Sequence, residues 1–411
     1  MFSPLALARL PIRATSPVRL EKDLSGSILI LNAGSSSLKF ALFDAALLPI
    51  LRGEIEDIEA TPHLAARDAA GTVLANRRWP EASGFAAMIH DLLDFTQDHC
   101  GREGLASVGH RIVHGGADHV EPTLITPRLL SDLDALTPLD PLHMPHSLAP
   151  ARAIAEGRPD LPQVACFDTA FHHDMPAEAQ AVAVSRVLRD QGVRRYGFHG
   201  LSYEYIAGRL GAEAPALARG RVIVAHLGAG ASLCALKGGV SIATTMGFST
   251  LDGLMMATRC GGIDPGVILY LARQGRSFTD IEDMLYHRSG LLGVSGISGD
   301  MRALLASDDP RAAEAIALFT YRVAIEAGSM ASALGGIDGL VFTGGIGERA
   351  PAIRAAVCER LAWLGIEFDG AANAAGATRI SVPGGPVEVL VWPTDEEAVI
   401  ARHTRTVLSD G

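Results

Sequence analysis

The 411-residue sequence predicts an α/β protein made of two duplicated domains, and three observations lead to this prediction. Short apolar strands alternate with amphipathic helical stretches along the chain. The length exceeds what one ordinary hydrophobic core holds, which favours two or three domains. A strand, a turn of small residues and a second strand occur twice, with Ser37-Leu38 in the first copy and Ser232-Leu233 in the second. A duplicated α/β chain usually has its active site in the cleft between the copies, so we expect the site there.

The chain begins with an extension, residues 1–26, that we expect to be poorly ordered. Prolines at positions 4, 11 and 17 interrupt any amphipathic helix in it. A transit peptide is one interpretation of its arginines, but the prolines favour a bacterial extension. The first domain is predicted over residues 27–170 together with a C-terminal helix at 397–411, and the second over 171–396.

The elements that follow are predicted in order from local patterns. The hairpin SILILNAGSSSLKFALFD opens the first domain, and RVIVAHLGAGASLCALKGGVSIAT opens the second. Between them PHSLAPARAIAEG predicts a helix and QVACF a buried strand. GLVFTGGIGERAPAIRAAV predicts a strand, a glycine turn and a helix, and VEVLVWPTDEEAVIARHT a strand followed by the last helix.

Composition excludes several classes of function. The formal net charge is −11, and no basic stripe exists that could bind nucleic acid. No stretch of 18 apolar residues predicts a membrane span. Five widely spaced cysteines without a CxxC pair favour neither a disulfide framework nor a zinc site, and they fit a reducing cytoplasm.

The first turn, Asn32 to Lys39, has the composition of a polyphosphate site. It offers backbone N–H groups, the hydroxyls of Ser35 and Ser37, and the ammonium of Lys39 within a few residues. Lysine is rare in this chain, so its presence in a Gly/Ser turn suggests a need for its shape. An ordinary tight hairpin turn remains the alternative.

Two arginines precede double glycines and are interpreted as anion clamps. Arg111 is predicted at the end of a strand before Gly115-Gly116, and Arg259 stands before Gly261-Gly262. His110 and His114 have the spacing of a helical zinc pair, but the glycines argue against a helix and HExxH is absent.

Histidines and carboxylates at strand ends complete the candidate site. His143 and His199 lie in Pro/Gly loops, although a lone histidine is more often structural. Asp168 and Glu396 each follow a buried strand, where carboxylates can hold magnesium through water. Glu397 has a simpler interpretation as an exposed acid that favours the helix dipole.

Gly345-x-Gly347-x-x-Ala350 formally matches a dinucleotide fingerprint. Too few residues follow for the rest of such a domain, so we interpret it as a glycine turn that approaches a nucleotide. GxxxxGK[ST] and GxSxG are both absent, which excludes a Walker kinase and a nucleophile-elbow hydrolase.

Nine segments in order resemble the signature of the acetate kinase family: LNAGSSSLKF, GHRIVHGG, PLHMP, FDTAFH, YGFHG, HLGAGASL, TRCGGIDP, FTGGIGE and PTDEE. The resemblance runs from about residue 27 to the end. It implies two actin-like (ribonuclease H-like) domains with the site in the cleft between them. It also implies reversible, Mg²⁺-dependent phosphoryl transfer between ATP and acetate by direct in-line transfer, with Mn²⁺ as a possible substitute. ATP/ADP and acetate/acetyl phosphate would be the partners of a cytoplasmic homodimer.

The resemblance also implies a role for each matching residue. The catalytic group would be Arg111, Asp168, His199, Arg259 and His143. Substrate would be bound by Arg111, Val113, Leu142, Phe198 and Thr250. ATP would contact Lys39, Ser35, Ser37, His226, Gly228, Gly230, Asp300, Met301, Arg302, Gly345, Ile346 and Gly347. Asn32 and Glu396 would hold the metal.

The chain departs from the family pattern at several positions. Ala229 replaces the phosphate-loop Asn, Thr250 a pocket Pro, Arg349 an Asn, and Gly262 an Asp. We expect an active enzyme with altered binding constants. Propionate or butyrate kinase is the nearest alternative, and a catalytically silent nucleotide or acyl-phosphate sensor is the alternative from another class.

Overall fold

A computed structural model describes residues 25–34, 37–58, 60–79 and 84–410. Nearly all of the predicted N-terminal extension therefore lies outside the described residues, and so does Ser35.

The described residues form thirteen strands and sixteen α-helices. The strands are β1 (Ser27–Ala33), β2 (Leu38–Phe43), β3 (Pro49–Glu56), β4 (His63–Asp68), β5 (Val73–Arg78), β6 (Leu105–Ile112), β7 (Thr123–Leu124), β8 (Gln163–Phe167), β9 (Arg221–Leu227), β10 (Ala231–Lys237), β11 (Val240–Thr244), β12 (Gly339–Thr343) and β13 (Glu388–Val391).

The helices are α1 (Phe85–Gln97), α2 (Pro127–Asp134), α3 (Met144–Gly157), α4 (Ala177–Gln180), α5 (Arg186–Asp190), α6 (Gly200–Glu213), α7 (Pro215–Ala218), α8 (Pro265–Arg273), α9 (Phe278–His287), α10 (Gly290–Ser295), α11 (Met301–Leu305), α12 (Pro310–Leu334), α13 (Gly344–Arg349), α14 (Pro351–Arg360), α15 (Gly370–Ala374) and α16 (Glu396–Ser409). Short 3₁₀ helices occupy Thr137–Leu139, Ala170–His172 and Ala362–Leu364.

The two sheets repeat one topology, which confirms the predicted α/β class and the duplication. The first sheet has the order β5-β4-β3-β2-β1-β6-β8-β7, and the second has β11-β10-β9-β12-β13. In each sheet a founding strand pairs antiparallel with the next strand of its hairpin and parallel with a later strand on its other side. A second parallel strand extends each sheet beyond that.

Parallel pairing brings the predicted site residues to one edge of each sheet. Ile112 of β6 is level with Phe167 of β8, so Arg111 and Asp168 lie at neighbouring strand ends. In the second sheet Thr343 of β12 pairs with His226 of β9. Ligands of open α/β sheets bind beyond the carboxyl ends of such strands, so this edge is where a site is expected.

The last helix, α16, returns to the first sheet although the second sheet precedes it in the chain. Its Val399 and Ile400 pack with Ile28 and Ile30 of β1 in one buried cluster. A side chain at Gly109 of β6 would collide with Thr404 and Ile400, so glycine lets α16 approach the sheet closely. This packing fixes the start of α16, which carries Glu396 and Glu397, at the sheet edge. The domain boundaries remain a prediction.

Candidate active site

A cleft of about 580 Å³ lies at the carboxyl ends of the strands. Residues from both sheets line it: Asn32, Gly34, Ser37, Lys39, Arg111, His199, His226, Gly228, Ala229, Gly230, Gly344, Gly345, Glu348, Arg349, Thr394, Glu396 and Glu397. Ten of the residues predicted from sequence are among them, so chain segments far apart in sequence meet at one place. Larger and similar cavities exist elsewhere on the surface, but this one borders the predicted residues.

Arg111 is held in the cleft by a buried carboxylate. Its Nη2 donates to Oδ2 of Asp168 at 2.7 Å, and the backbone N–H of His199 donates to the same oxygen at 2.8 Å. Burial lowers the pKa of Arg111, but the carboxylates of Asp168 and Glu396 outweigh it and raise the pKa overall. The guanidinium is therefore a fixed, permanent cation.

His199 has a strained backbone and an uncharged ring. Its φ of 58° and ψ of 25° lie in the left-handed region, which costs a non-glycine residue roughly 1–3 kcal/mol. Nδ1 and the hydroxyl of Ser232 are hydrogen-bonded, 2.8 Å apart. Burial, and then the nearby His226, Arg111 and Arg259, lower the pKa of His199 well below its usual value. A neutral ring can offer a hydrogen bond without carrying charge.

The turn at Gly228–Gly230 lies beside His199, and residues of the second sheet approach His199 there. His226 stacks on His199 with ring centroids 4.3 Å apart, and burial lowers its pKa to about 4. A side-chain carbon at Gly230 would lie 3.1 Å from Nε2 of His199 and 3.2 Å from Nη2 of Arg259. Only glycine therefore leaves free space in front of both groups.

Arg259 differs from Arg111 in having no acidic partner within the described part of the chain. Its Nη1 donates to the backbone oxygen of Thr250 at 3.0 Å. Burial lowers the pKa of Arg259, against the opposing field of Asp140. A buried cation without a paired carboxylate is poorly compensated, and a bound anion would supply the missing charge.

The start of α16 forms the acidic end of the cleft. Nδ2 of Asn32 donates to Glu396 at 3.0 Å and to Glu397 at 3.5 Å. Arg52 forms a two-point ion pair with Asp395, at 2.5 and 3.1 Å, and approaches Glu397 at 3.5 Å. The expectation that Glu397 is an exposed helix-start acid is therefore wrong, because its side chain is only 15% exposed and lines the cleft.

These oxygen donors suit a hard divalent cation. Burial raises the pKa of both Glu396 and Glu397, and each is raised further by neighbouring carboxylates. A cation would relieve this repulsion, and carboxylate and amide oxygens are the ligands that Mg²⁺ takes, with water completing its shell. Asn32 uses its nitrogen in both contacts, so its amide oxygen is the atom available to a metal.

The predicted nucleotide turn borders the cleft in part. Gly344 has a φ of 76° and packs against the backbone of Leu227, where a side chain would not fit. Glu348 accepts from the N–H groups of Gly344 and Thr394, and the buried Arg354 donates to the backbone oxygens of Gly347 and Glu348. Gly345 lines the cleft, whereas the predicted residues Ile346 and Gly347 do not.

One further group of predicted residues, Asp300 to Arg302, lies outside the lining of this cleft. Asp300 caps α11, its carboxylate accepts from the side chain of Arg302 at 2.7 Å, and Met301 is buried. Lys39 and Ser37 of the first turn do border the cleft, and Lys39 is exposed to it.

The predicted acyl-pocket residues are mostly closed to solvent. Val113, Phe198 and Thr250 are 2%, 1% and 4% exposed, and Leu142 is half-buried. The Thr250 hydroxyl is buried and has no hydrogen-bond partner among the described residues. Next to Leu142, Nδ1 of His143 is 2.8 Å from a carboxylate oxygen of Asp140.

Several positioning contacts were not foreseen from the sequence. The predicted site did not include Asp140, Ser232, Arg52 or Arg354. Some of these residues act through a partner that is distant in sequence, and the others lie in local sequence patterns that are common in proteins. Asp140 alone left a signal, as an acid three residues before a candidate histidine. In the described part of the chain, no helix is long and apolar enough to cross a membrane.

Comparisons with known proteins show the family to which this chain belongs. The model of the Acetokinase family matches residues 27–402. A protein named acetate kinase from Rhodopseudomonas palustris is 54% identical over 94% of this chain and 100% of its own, and one from Rhizobium meliloti is 49% identical over 93% and 98%.

Solved structures have the same fold. A propionate kinase from Francisella tularensis superposes with a TM-score of 0.85 at 37% identity, covering 92% of this chain and 98% of its own. The acetate kinase of Porphyromonas gingivalis gives 0.82 at 36% identity, covering 93% and 99%.

Proposed function

The chain belongs to the acetokinase family, and we propose that it transfers a phosphoryl group reversibly between ATP and acetate, giving ADP and acetyl phosphate. One observation carries the proposal beyond family membership. Two half-buried arginines come close to the cleft from different parts of the chain, Arg111 on β6 and Arg259 in the loop before α8, and only Arg111 has a carboxylate partner within the described residues. The positive charge of Arg259 is therefore not neutralised by a paired carboxylate of the described residues, and it can bind the anionic groups of ATP and acetate.

This charge suits phosphoryl transfer. The transferring group spreads negative charge over three equatorial oxygens, so catalysis requires positioning and electrostatic stabilisation more than a nucleophile. Acetate is already ionised near neutral pH, so no strong base is required. Arg111 and Arg259 would clamp the carboxylate and the group in transfer, and Asp168 would hold Arg111 in place.

The neutral histidines and the Gly turn would contact the phosphates. Ser232 is within hydrogen-bonding distance of Nδ1 of His199, and Nε2 lies beside Gly230 and Arg259. This nitrogen can donate to a phosphoryl oxygen when it carries the ring proton. Backbone N–H groups at Gly228–Gly230 and Gly345, with Lys39, would complete a set of donors for ATP.

A divalent cation belongs to this proposal, and we assign magnesium. Asn32 and Glu396 would hold it, and when bound it would neutralise charge on the phosphate oxygens. Asp300–Arg302 and Gly345–Gly347 would hold the nucleoside, which requires the nucleotide to extend from the phosphate cleft towards α11.

Acetate, propionate and butyrate are the candidate acids. The Francisella relative is named a propionate kinase, and the others are named acetate kinases. We propose acetate because the relatives that are 54% and 49% identical to this chain are named acetate kinases. The homodimer and the cytoplasmic location implied by the family resemblance remain predictions.

A coupled assay of ADP formation tests the proposal. The protein is given ATP and Mg²⁺ with acetate, propionate or butyrate in turn, and a reaction without acid is the control. ADP that depends on both acid and metal supports a kinase, and the ratio of kcat/KM values ranks the acids. Nucleotide binding without ADP formation from any of the three acids would favour the silent sensor instead.

A further inference from the structure

Asp140 is a buried carboxylate beside the proposed acyl site to which neither the sequence patterns nor the family resemblance gave a role. It lies between the 3₁₀ helix Thr137–Leu139 and α3, and it is 0% exposed. Oδ1 is 2.8 Å from Nδ1 of His143 and 3.4 Å from the backbone nitrogen of the same residue. Oδ2 is buried and has no hydrogen-bond partner among the described residues.

Charged and titratable groups from four other segments face this carboxylate. Its field favours the charged forms of Arg111 on β6, His114 after β6 and Arg259 before α8. It disfavours ionisation of Tyr286 on α9. The two proposed substrate clamps, Arg111 and Arg259, therefore share Asp140 as an electrostatic neighbour. The same carboxylate contacts His143, which the family resemblance places in the catalytic group.

A purely structural role explains this arrangement poorly. A buried ionised carboxylate is strongly unfavourable unless it is paired and hydrogen-bonded, and one oxygen of Asp140 has no partner. The residue is also not needed to cap α3, since His143 occupies that cap and no side-chain cap bond is made there. Its shortest side-chain contact is to the ring of His143, at 2.8 Å, whereas the backbone nitrogen of His143 lies at 3.4 Å.

Resting on the proposed function, we propose that Asp140 is a positioning residue for phosphoryl transfer that acts through His143. By accepting from Nδ1–H it fixes the orientation of the ring and determines which nitrogen carries the proton. Nε2, on the opposite edge, is then the nitrogen that meets the ligand. When Nε2 also carries a proton, it can donate a charge-assisted hydrogen bond to a phosphoryl oxygen.

The test is a double-mutant cycle on the full chain. Asp140→Ala, Asp140→Asn, His143→Ala and the Asp140→Ala/His143→Ala double variant are compared for kcat and for KM of ATP and acetate. Asp132→Asn on the exposed face of α2 is the matched control. Thermal unfolding of each variant separates loss of fold from loss of function, and the near-isosteric Asp140→Asn remains usable if Asp140→Ala does not fold.

We expect Asp140→Ala to lower kcat about 10- to 100-fold, which is less than the full contribution of a typical proton donor. The KM for ATP should change less than about threefold. Asp140→Asn keeps an acceptor for Nδ1–H and should retain more activity. In the His143→Ala background, Asp140→Ala should lower kcat by less than about twofold, because residues that act together are not additive. Equal losses in both backgrounds, or no loss in well-folded single variants, would overturn the role.

Nitrogen-15 NMR of the His143 ring provides a measurement that does not depend on turnover. In the wild type Nδ1 should carry the proton, and in Asp140→Ala the ring should become a mixture of tautomers. An unchanged tautomer contradicts the inference even if activity falls. If the wild type makes no acyl phosphate from any acid, the proposed function fails, and the tautomer measurement still decides whether Asp140 controls His143.

Discussion

At the scale of single residues, Arg111 and Arg259 have the same charge but different relations to the fold. Arg111 is tied to Asp168, so its removal would leave a buried carboxylate unpaired at a cost of about 3–5 kcal/mol. Arg259 forms no ion pair among the described residues and donates to a backbone oxygen, so its removal breaks no salt bridge. Arg259 therefore allows the clamp to be tested with the smaller effect on stability.

Arg259→Ala should lower kcat by about 10²–10⁴, the range of arginines that stabilise a transferring phosphoryl group. The ATP KM should change much less, because the contact strengthens as charge develops in the transition state. Steady-state kinetics with ATP and acetate measure both constants, and Arg276→Ala on the exposed surface is the control. A loss below about tenfold would assign Arg259 to structure instead.

Thr250 determines the second residue-scale prediction. Its buried hydroxyl has no partner among the described residues, and it replaces a proline of the family pattern. Threonine lacks the rigid ring of proline and adds a hydroxyl, so we expect propionate to be used relatively well, and Thr250→Pro to shift preference towards acetate. A methylene in such a pocket contributes about 1–3 kcal/mol of discrimination.

The measurement is the acetate-to-propionate ratio of kcat/KM in the wild type and the variant, with Thr250→Val as the control that removes the hydroxyl at constant volume. A ratio that changes less than about threefold in Thr250→Pro, or that moves towards propionate, would remove Thr250 from the pocket.

Residue patterns predicted Arg111, His199 and Asp168 but not the contacts that orient them. Arg111 and Asp168 were visible because each ends a strand beside small residues. Ser232 resembles an ordinary strand residue, and Asp140 is marked only by its spacing of three residues from His143. The roles of both depend on neighbours that folding brings together.

At the scale of elements, the first turn of α16 carries two acidic residues, Glu396 and Glu397, whose burial disfavours their charged forms and lowers native stability. The pKa of Glu396 is raised by burial and by Asp168, although Arg111, Lys39 and Asn32 oppose the shift. A carboxyl with a raised pKa binds its proton more tightly in the native state than in the unfolded state. Native stability therefore falls as pH rises from the ordinary range of glutamate through the raised value.

Glu396→Gln should accordingly unfold at a higher Tm than the wild type at pH 8, and the difference should shrink towards pH 4. The same variant should require at least about tenfold more Mg²⁺ for half-maximal activity, following the usual effect of altering groups around a metal. Glu397→Gln should shift the Mg²⁺ requirement less, because its contact to Asn32 is longer. Equal Mg²⁺ titrations of the two variants would contradict the assignment of Glu396.

Periodicity and turn chemistry predicted the elements well where one face is strongly apolar. Both hairpins, the helix α3, the strand β12 and the helix α14 are confirmed, whereas the predicted glycine turn between β12 and α14 is wrong, since the short helix α13 occupies it. The environment of Glu397 was not predictable, because acids at a helix start are favoured by the dipole whether they face solvent or a cleft. Its burial follows from the close packing of α16 on β6.

At the scale of the whole molecule, several histidines are buried in uncharged form. Burial lowers the pKa of His110, His114, His172 and His226 to about 4. The unfolded chain binds protons at these sites near pH 6.5, whereas the native state does not. Stability is therefore retained above about pH 6.5 and is lost as pH falls towards 4.

Thermal unfolding followed from pH 7.5 to 4.5 should show a steep fall of Tm in the lower half of that range. His110→Asn should make the fall shallower, since His110 bonds to Gln163 rather than to cleft residues. His287→Asn, at the exposed end of α9, is the control. A Tm that is constant over this pH range would contradict the neutral, buried state of the histidines.

The central claim is that this cleft transfers a phosphoryl group to a carboxylate, and trapping of the product tests it most directly. ATP, Mg²⁺ and acetate are incubated with the protein in the presence of hydroxylamine, which converts acyl phosphate to a hydroxamate. The hydroxamate then forms a coloured complex with added iron. We expect hydroxamate in proportion to protein, abolished by chelation of the metal and strongly reduced in Arg259→Ala. No hydroxamate above the protein-free control, for acetate, propionate and butyrate alike, would contradict the account.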